Sequence, residues 1–288
     1  MSSNNITFVL FSYNEEKRIE YPIRNFIKYG KVIVIDNCSL DKTREIAESL
    51  GAQVYEYKNN GYVETPEELE FVRSKVDTDY MTWSFTDHMW PKQLLEKTVE
   101  ITAENIYDGL AATQVNYHYG MRDITFSTYG YWWKMFAKWR IVVAKKETYF
   151  ATGFIHSSLQ NNCKNVYQTP KTDSYIIHHL SLYNIKKFEM AHSNYSDIEA
   201  MHHFKAWSNH GVWWILAKLA FYFVQYYFIN GAWKSGKPGF IFVMQYMFFF
   251  FNCWAKEWEL QNNITLESIE ENYNTIRKEI LSEIYPNV

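Results

Sequence analysis

The chain opens with an unbroken apolar run, Ile6-Thr-Phe-Val-Leu-Phe11, the pattern of a strand buried on both faces. Ser12-Tyr-Asn-Glu-Glu16 interrupts it with polar side chains and early carboxylates, which predicts a helix start. That helix is expected to run to Tyr29 and close on a left-handed cap at Gly30. A second run, Lys31-Val-Ile-Val-Ile35, predicts a strand that delivers Asp36 at its end. Asn37-Cys-Ser39 turns the chain, with Ser39 placed to cap a helix from Leu40 to Leu50 that Gly51 terminates. The alternation of Ala52 to Tyr57 predicts a third strand, Asn59-Asn-Gly61 a turn, and Pro66 to Val76 a helix with proline in its first turn. Tyr80 to Phe85 reads as another strand, ending in Thr86-Asp87-His88 before Pro91 opens a further helix, and Gly109 to Val115 as one more. Strands alternating with helices predict an α/β fold with a mostly parallel, Rossmann-like sheet flanked by helices. Right-handed crossovers put the polar turns on one sheet edge, where open α/β sheets bind ligands. Asn14, Glu15, Asp36, Ser39 and Asp41 are therefore expected to line one crevice.

Ser12-Tyr-Asn-Glu-Glu16 followed by Val34-Ile-Asp-Asn-Cys-Ser-Leu-Asp-Lys-Thr43 resembles the opening of the family 2 glycosyltransferases, enzymes of the GT-A fold. The resemblance implies that Asp36 hydrogen-bonds a nucleotide base. It also implies that Ser12, Tyr13, Asn14 and Glu15 hold base and ribose, with Ser39 and Asp41 in the second turn. Such enzymes carry a basic residue on the helix after the third strand, for which Arg73 and Lys75 are candidates. At the family's Asp-x-Asp position stands Phe85-Thr86-Asp87, so Asp87 is the implied metal ligand, Thr86 joins the donor contacts and Phe85 replaces the first carboxylate. One carboxylate is the minimum the chemistry requires. Departure of a nucleoside diphosphate develops negative charge, and a hard divalent cation, Mn²⁺ or Mg²⁺, neutralises it. His88 is a possible supplement to that site.

Ala151 to Ser158 resembles a segment of the lipopolysaccharide-core-type subgroup in which His-Glu supplies the catalytic base. Here the pair is His156-Ser157, leaving His156, Asp173, Asp197 and Glu199 as candidates for the base that an inverting transfer needs. Ile176 to Tyr183 and His192 to Ala200 resemble the same subgroup's closing signature, which implies that His179 joins Asp87 in the metal shell. The subgroup's usual basic residues before Tyr-Ser are Ala191 and Asn194 in this chain. Between these segments, Tyr117 to Trp139 is rich in aromatic residues, suited either to stacking on acceptor sugars or to core packing.

Beyond residue 200 the pattern changes. Val212 to Ile229 is nearly all apolar, and Phe240 to Trp258 follows after a turn rich in Gly, Lys and Pro. Gln245, Asn252, Lys256 and Glu259 recur on one helical face of the second segment. Polar stripes, many Trp and Tyr residues and flanking lysines suit helices lying in a membrane interface; a buried hairpin or a homodimer contact is the alternative. Thr265 to Ile284 predicts a last amphipathic helix. The division expected is a GT-A catalytic domain over 1–200 and an aromatic-rich helical extension over 201–288.

Composition narrows the partners. A net charge of −3 and a pI near 6.3 argue against nucleic acid. Three scattered cysteines and a polar N-terminus point to a reducing, cytoplasmic setting, with the protein peripheral on the inner face of a membrane. The function implied by the resemblance is inverting transfer of a sugar from a nucleoside diphosphate, UDP before GDP or dTDP, to a glycan or glycolipid acceptor. The alternative is a catalytically degenerate sugar-nucleotide- or glycan-binding protein on the same scaffold, since Phe85 and Ser157 stand where carboxylates are expected.

Overall fold

The computed structural model describes residues 4–59, 65–122, 139–151, 159–205 and 210–284. Its first half runs β1 (Ile6–Ser12), α1 (Glu20–Phe26), β2 (Lys31–Asp36), α2 (Thr43–Ser49), β3 (Gln53–Glu56), α3 (Pro66–Lys75), β4 (Tyr80–Thr82), β5 (Ser84–Phe85), β6 (His88–Met89) and α4 (Lys92–Glu104). The next part is built from strands: β7 (Gly109–His118), β8 (Met121–Arg122), β9 (Arg140–Lys145), β10 (Tyr149–Ala151), β11 (Leu159–Asn161), β12 (Val166–Gln168) and β13 (Ile176–Leu182). Helices α5 (Ile185–Lys205), α6 (Val212–Phe223), α7 (Gly236–Gln261) and α8 (Leu266–Ile284) complete the chain.

The main sheet has the order β3-β2-β1-β4-β9-β7-β13-β6. β3, β2, β1 and β4 are mutually parallel, and β5 continues the line of β4 along β1. β9 lies antiparallel between β4 and β7, so β7 and its parallel neighbour β13 point the same way as the first four strands. The carboxyl ends of β1, β2, β5, β7 and β13 therefore share one edge. This is the mostly parallel sheet flanked by helices that the sequence predicts. The antiparallel β9 was not expected from the sequence; residues 123–138 of the aromatic segment before it lie outside those described.

The core forms where apolar runs are shielded on both faces. Every residue of β1 except Phe11 is buried, as are Val32 to Asp36 of β2. Phe8 stacks on Phe26 of α1 at 4.6 Å between ring centroids, and Trp90 meets both edge-on. Gly30 takes no left-handed cap. Its backbone is not in the positive-φ region, and a Cβ there would stand 2.6 Å from the carbonyl oxygen of Ile6. Close approach of the chain, not a turn conformation, requires glycine there. Gly51, at φ +87°, is left-handed as expected after α2.

Two helix starts come later than the pattern predicts. Residues 15–19 wind as a turn, with the N–H groups of Arg18 and Ile19 both donating to the Glu15 carbonyl, before α1 begins at Glu20. Helix α2 begins at Thr43 instead of Leu40, because Asp41 accepts from the Thr43 N–H (3.0 Å) and fixes a polar turn. Ser39 is no helix cap; its hydroxyl is committed to Asp36.

At the other end, α5 runs unbroken through residue 200, so the expected boundary falls inside a helix. Helix α7 lays Phe242, Val243, Phe249, Cys253 and Trp254 against its neighbours as a buried stripe. The α6–α7 turn is tight: a Cβ on Gly239 would come within 2.0 Å of the Ala232 carbonyl oxygen.

Candidate active site

The first two polar turns of the carboxyl edge are tied together by a network centred on Asp36. Asp36 is fully buried. Its Oδ1 accepts from the hydroxyls of Ser12 (2.8 Å) and Ser39 (2.6 Å), and its Oδ2 accepts from the Ser39 N–H (2.7 Å). The Ser39 hydroxyl in turn accepts from the Asn14 N–H at 2.8 Å, and Asn14 Oδ1 accepts from the Leu40 N–H at 2.9 Å. Thr43 and Asp41 accept from the N–H groups of Glu15 (2.7 Å) and Glu16 (3.1 Å). Asn14 and Cys38 reach the left-handed region, φ 54° and 57°, at the apex of each turn. The polar residues expected at this edge thus build one interlocked wall, from which Tyr13 projects, 56% exposed.

Beside this wall lies a carboxylate–imidazole cluster. The two-residue turn between β5 and β6 carries Thr86, which is buried, and Asp87. Antiparallel pairing of β6 with β13 sets His88 opposite His179. His179 Nε2 is 3.2 Å from Asp87 Oδ2, His88 Nε2 is 4.0 Å from Asp87 Oδ1, and the two rings meet edge to face at 4.8 Å. The other nitrogen of each imidazole is held from behind. His179 Nδ1 contacts Asn116 Oδ1 (3.1 Å) and Gln114 Nε2 (3.0 Å), and His88 Nδ1 contacts the Ser84 hydroxyl (3.1 Å). Backing of this kind fixes which nitrogen faces a bound ion. Phe85, 39% exposed, packs edge-on to the His88 ring. Burial opposes the Asp87 charge, but His179 and then His88 outweigh it and hold the carboxyl far below its usual range. Burial pushes His88 down to about 3, so it is a neutral nitrogen donor.

The sequence reading missed two cations at this cluster. Arg18, in the turn before α1, pairs with Glu15 and lies over the Tyr183 ring at 5.1 Å. Lys187, in the first turn of α5, lies over the same ring at 4.8 Å. Burial, followed by Arg18, lowers the Lys187 pKa, while Glu15 and Asp87 act in the opposite sense. Burial also pushes the Glu15 carboxyl up. Arg18, Lys187, Glu15 and Asp87 are therefore electrostatic neighbours. The available signals were a basic residue three positions after Glu15 and one just past the strand that ends the His179 segment.

Other expected site residues lie elsewhere. Arg73 is at the opposite sheet edge: it donates from Nε to the Lys146 carbonyl (3.0 Å) and from Nη2 to that of Tyr149, beyond the end of β9 where β4 begins. Helix α3 runs back across the sheet, so its last turn points away from the crevice. Lys75, on the same turn, sits over Tyr55 and Phe71. Asp173 is exposed and pairs with Arg122 at 3.0 Å, Asp197 pairs with Lys256 at 2.6 Å, and Glu199 groups with His202 and His203. His156 lies outside the described residues.

The residues present fit a divalent cation. Asp87 Oδ1 is buried and accepts no hydrogen bond, and ligand atoms of Asp87, His88 and His179 lie within 4.8 Å of one another. One carboxylate with two imidazoles is a donor set that suits Mn²⁺ better than Mg²⁺, which prefers all-oxygen shells.

Comparison with known proteins defines the class. Residues 7–161, more than half of the chain, match the family profile described as glycosyl transferase family 2. The chain belongs to this family, and its curled, mostly parallel sheet with flanking helices is a GT-A fold. A search of curated proteins by sequence finds no match. Among solved structures, the mannosyltransferase PcManGT from Pyrobaculum calidifontis, in complex with GDP-Man and Mn²⁺, is similar at 11% identity over 89% of this chain and 88% of that one, with a TM-score of 0.49. TarS 1–349 from S. aureus, in complex with UDP-GlcNAc, is similar at 14% identity over 90% and 92% of the two chains, TM-score 0.44. Glucosyl-3-phosphoglycerate synthase from Mycobacterium tuberculosis reaches 20% identity over 51% of this chain and 60% of its own, TM-score 0.36.

Proposed function

We propose that this chain transfers a hexose, with inversion, from a nucleoside diphosphate donor to a glycan or glycolipid presented at a membrane surface, with UDP as the nucleotide. One observation carries the reading: the Asp87–His88–His179 cluster shares the carboxyl edge of the sheet with Arg18 and Lys187, next to the turn of Ser12 to Glu15. Asp87 with the two histidines would hold Mn²⁺, which when bound supplies positive charge to the diphosphate.

The chain's own residues do the rest. Arg18 and Lys187 lie together beside Glu15 and Asp87, where both can donate charge-assisted hydrogen bonds to a diphosphate. They take the place of the basic residues that Ala191 and Asn194 do not supply. The interlocked turns of Asn14, Asp36 and Ser39 form the floor for base and ribose, with Asp36 positioning Ser39 while Tyr13 offers its ring. Phe85, in place of a first carboxylate, presses on His88, which adds a nitrogen where an oxygen is missing. Of the four acceptor-base candidates, only His156 falls inside the segment that matches the family, which supports it over Asp173, Asp197 and Glu199. The resemblance to the lipopolysaccharide-core-type subgroup supports a glycolipid acceptor.

Membrane contact is supported by the C-terminal helices. Val212–Ile229 and Ala232–Gln261 are long and apolar enough to cross a membrane, and none of the first window is buried. Trp213, Phe221, Phe228, Phe248 and Phe251 are exposed, and an apolar groove of about 450 Å³ opens between α6 and α7 around Phe223 and Met247. We place these helices in the interface of the cytoplasmic leaflet, with the catalytic sheet in the cytoplasm. A homodimer contact through the same paired helices is the alternative to the membrane; the stripe of Tyr273, Ile276 and Ile280 on α8 is exposed as well. Incubating the purified chain with UDP-, GDP- and dTDP-sugars and Mn²⁺ tests the reading. Metal-dependent release of one nucleoside diphosphate supports it; donor binding without release at any acceptor would instead make the chain a sugar-nucleotide-binding protein.

A further inference from the structure

A second group of histidines and carboxylates lies away from the crevice, where three helices meet. Glu257 of α7 is 2% exposed, in a helix otherwise dominated by apolar residues. A buried carboxylate is costly unless it is paired or bound to a metal. Its Oε2 faces two imidazoles through the same ring atom: His210 Nδ1, just before α6, at 2.8 Å, and His203 Nδ1, near the end of α5, at 3.5 Å. The other oxygen, Oε1, accepts from Gln261 Nε2 at 2.9 Å. His203 Nδ1 is buried and makes no hydrogen bond. A proton shared between His210 and Glu257 accounts for one imidazole and leaves the other aimed at an oxygen it does not bond.

A metal accounts for both. Zinc bonds nitrogen and oxygen at about 2.0–2.2 Å, so ligand atoms of a tetrahedral site stand roughly 3.3 Å apart. The 2.8 and 3.5 Å separations bracket that spacing. Ligand atoms of His203, His210 and Glu257 lie within 4.8 Å of one another, and the same holds for Glu199, His202 and His203. Glu199 is four residues before His203 on the same face of α5, but its ligand atoms group with His202 and His203 and not with His210 and Glu257. The surroundings are those of a structural site: Trp214 lies against His210 at 4.0 Å, Trp254 meets Trp214 edge-on at 5.3 Å, and Gln261 orients the carboxylate. We propose that His203, His210 and Glu257 bind a structural zinc ion that fastens α5, the start of α6 and α7 to one another. Two imidazoles and a buried carboxylate, closed in by Trp214 and Trp254, suit a structural zinc ion. The ion would clamp the aromatic hairpin to the helix that follows the catalytic sheet.

The test uses the full chain, stripped with a chelator and carrying Asp87→Asn and His179→Asn so that the crevice no longer competes for metal. Titration with ZnCl₂, followed by calorimetry and by metal analysis after gel filtration, should show one tightly held equivalent and a raised Tm. Co²⁺ in its place should give the intense visible bands of a tetrahedral site. Adding His203→Asn and His210→Asn should remove that equivalent. Should that variant fail to fold, Gln261→Ala gives the second reading, with zinc affinity about ten-fold weaker in a folded protein. No retained zinc in the Asp87→Asn, His179→Asn protein would overturn the proposal, as would zinc binding unchanged by the further substitutions. UDP binding by the otherwise wild-type chain reports separately on the crevice, so the two readings fail independently.

Discussion

Asp36 and Ser39 hold each other twice: both the N–H and the hydroxyl of Ser39 donate to the buried Asp36 carboxylate, at 2.7 and 2.6 Å. Because the Ser39 hydroxyl also accepts from the Asn14 N–H, this pair couples the end of β2 to the turn after β1. Asp36→Ala would leave the Ser39 N–H and the Ser12 hydroxyl buried without an acceptor, at a cost of about 2–3 kcal/mol. The expected outcome is a lower Tm together with weaker UDP binding by calorimetry. A variant with unchanged Tm and unchanged affinity would show that the wall does not depend on this carboxylate.

Lys187 faces Arg18, and both lie against the ring of Tyr183. Lys187→Ala should raise the Kd for UDP about ten-fold, ~1.4 kcal/mol, while leaving uridine binding as it was, since only the phosphates carry the countercharge. Equal losses for UDP and uridine would place Lys187 in the scaffold instead.

A pH dependence follows from His118. It is buried at the end of β7, stacked on Phe242 of α7 at 3.8 Å, and burial lowers its pKa from 6.5 to about 3. Between those values the unfolded chain binds a proton that the native chain refuses. Stability is therefore full above about pH 6.5 and falls as pH drops toward 3, by up to about 1.4 kcal/mol per pH unit from this group. His118→Phe should keep the stack and flatten the acid limb of a denaturation series. An identical slope in the variant would contradict the assignment.

Much of this was legible in the sequence, and the reason is local. Apolar runs such as Ile6 to Phe11 and Lys31 to Ile35 specify strands by themselves, and a parallel sheet then fixes the edge at which Asp36 and Asp87 emerge. The helix starts were misplaced because Asp36 and Asp41 draw the backbone into polar turns that helical patterning cannot reveal. Arg73 was misplaced for want of a direction: only the run of α3 across the sheet shows that its last turn faces the far edge. Arg18 and Lys187 are distant in the chain and meet only because β13 lies in the same sheet as β1. Glu257 is buried against His203 and His210, a tertiary fact with no trace in helical spacing.

Lys256 of the C-terminal helices is engaged within the protein: it pairs with Asp197 at 2.6 Å and donates to the Ser193 carbonyl at 2.9 Å. On the proposed membrane reading, Lys218, Lys234 and Lys237 supply the charge for an anionic surface. Sedimentation with anionic vesicles should show binding that weakens at high salt without vanishing, because exposed rings such as Trp213 and Phe248 insert regardless of charge. Binding that resists both high salt and carbonate would indicate a spanning hairpin. A chain that ignores such vesicles and stays monodisperse without detergent would exclude membrane contact.

His179 and Asp87, 3.2 Å apart, mark the place where the proposed metal and diphosphate would meet. Calorimetric titration of UDP into the wild-type chain and into Asp87→Asn, each with and without Mn²⁺, tests it most directly. The wild type should bind UDP at least ten-fold more tightly with Mn²⁺ than without, and folded Asp87→Asn should show no metal effect. A full Mn²⁺ enhancement surviving in Asp87→Asn would contradict the site.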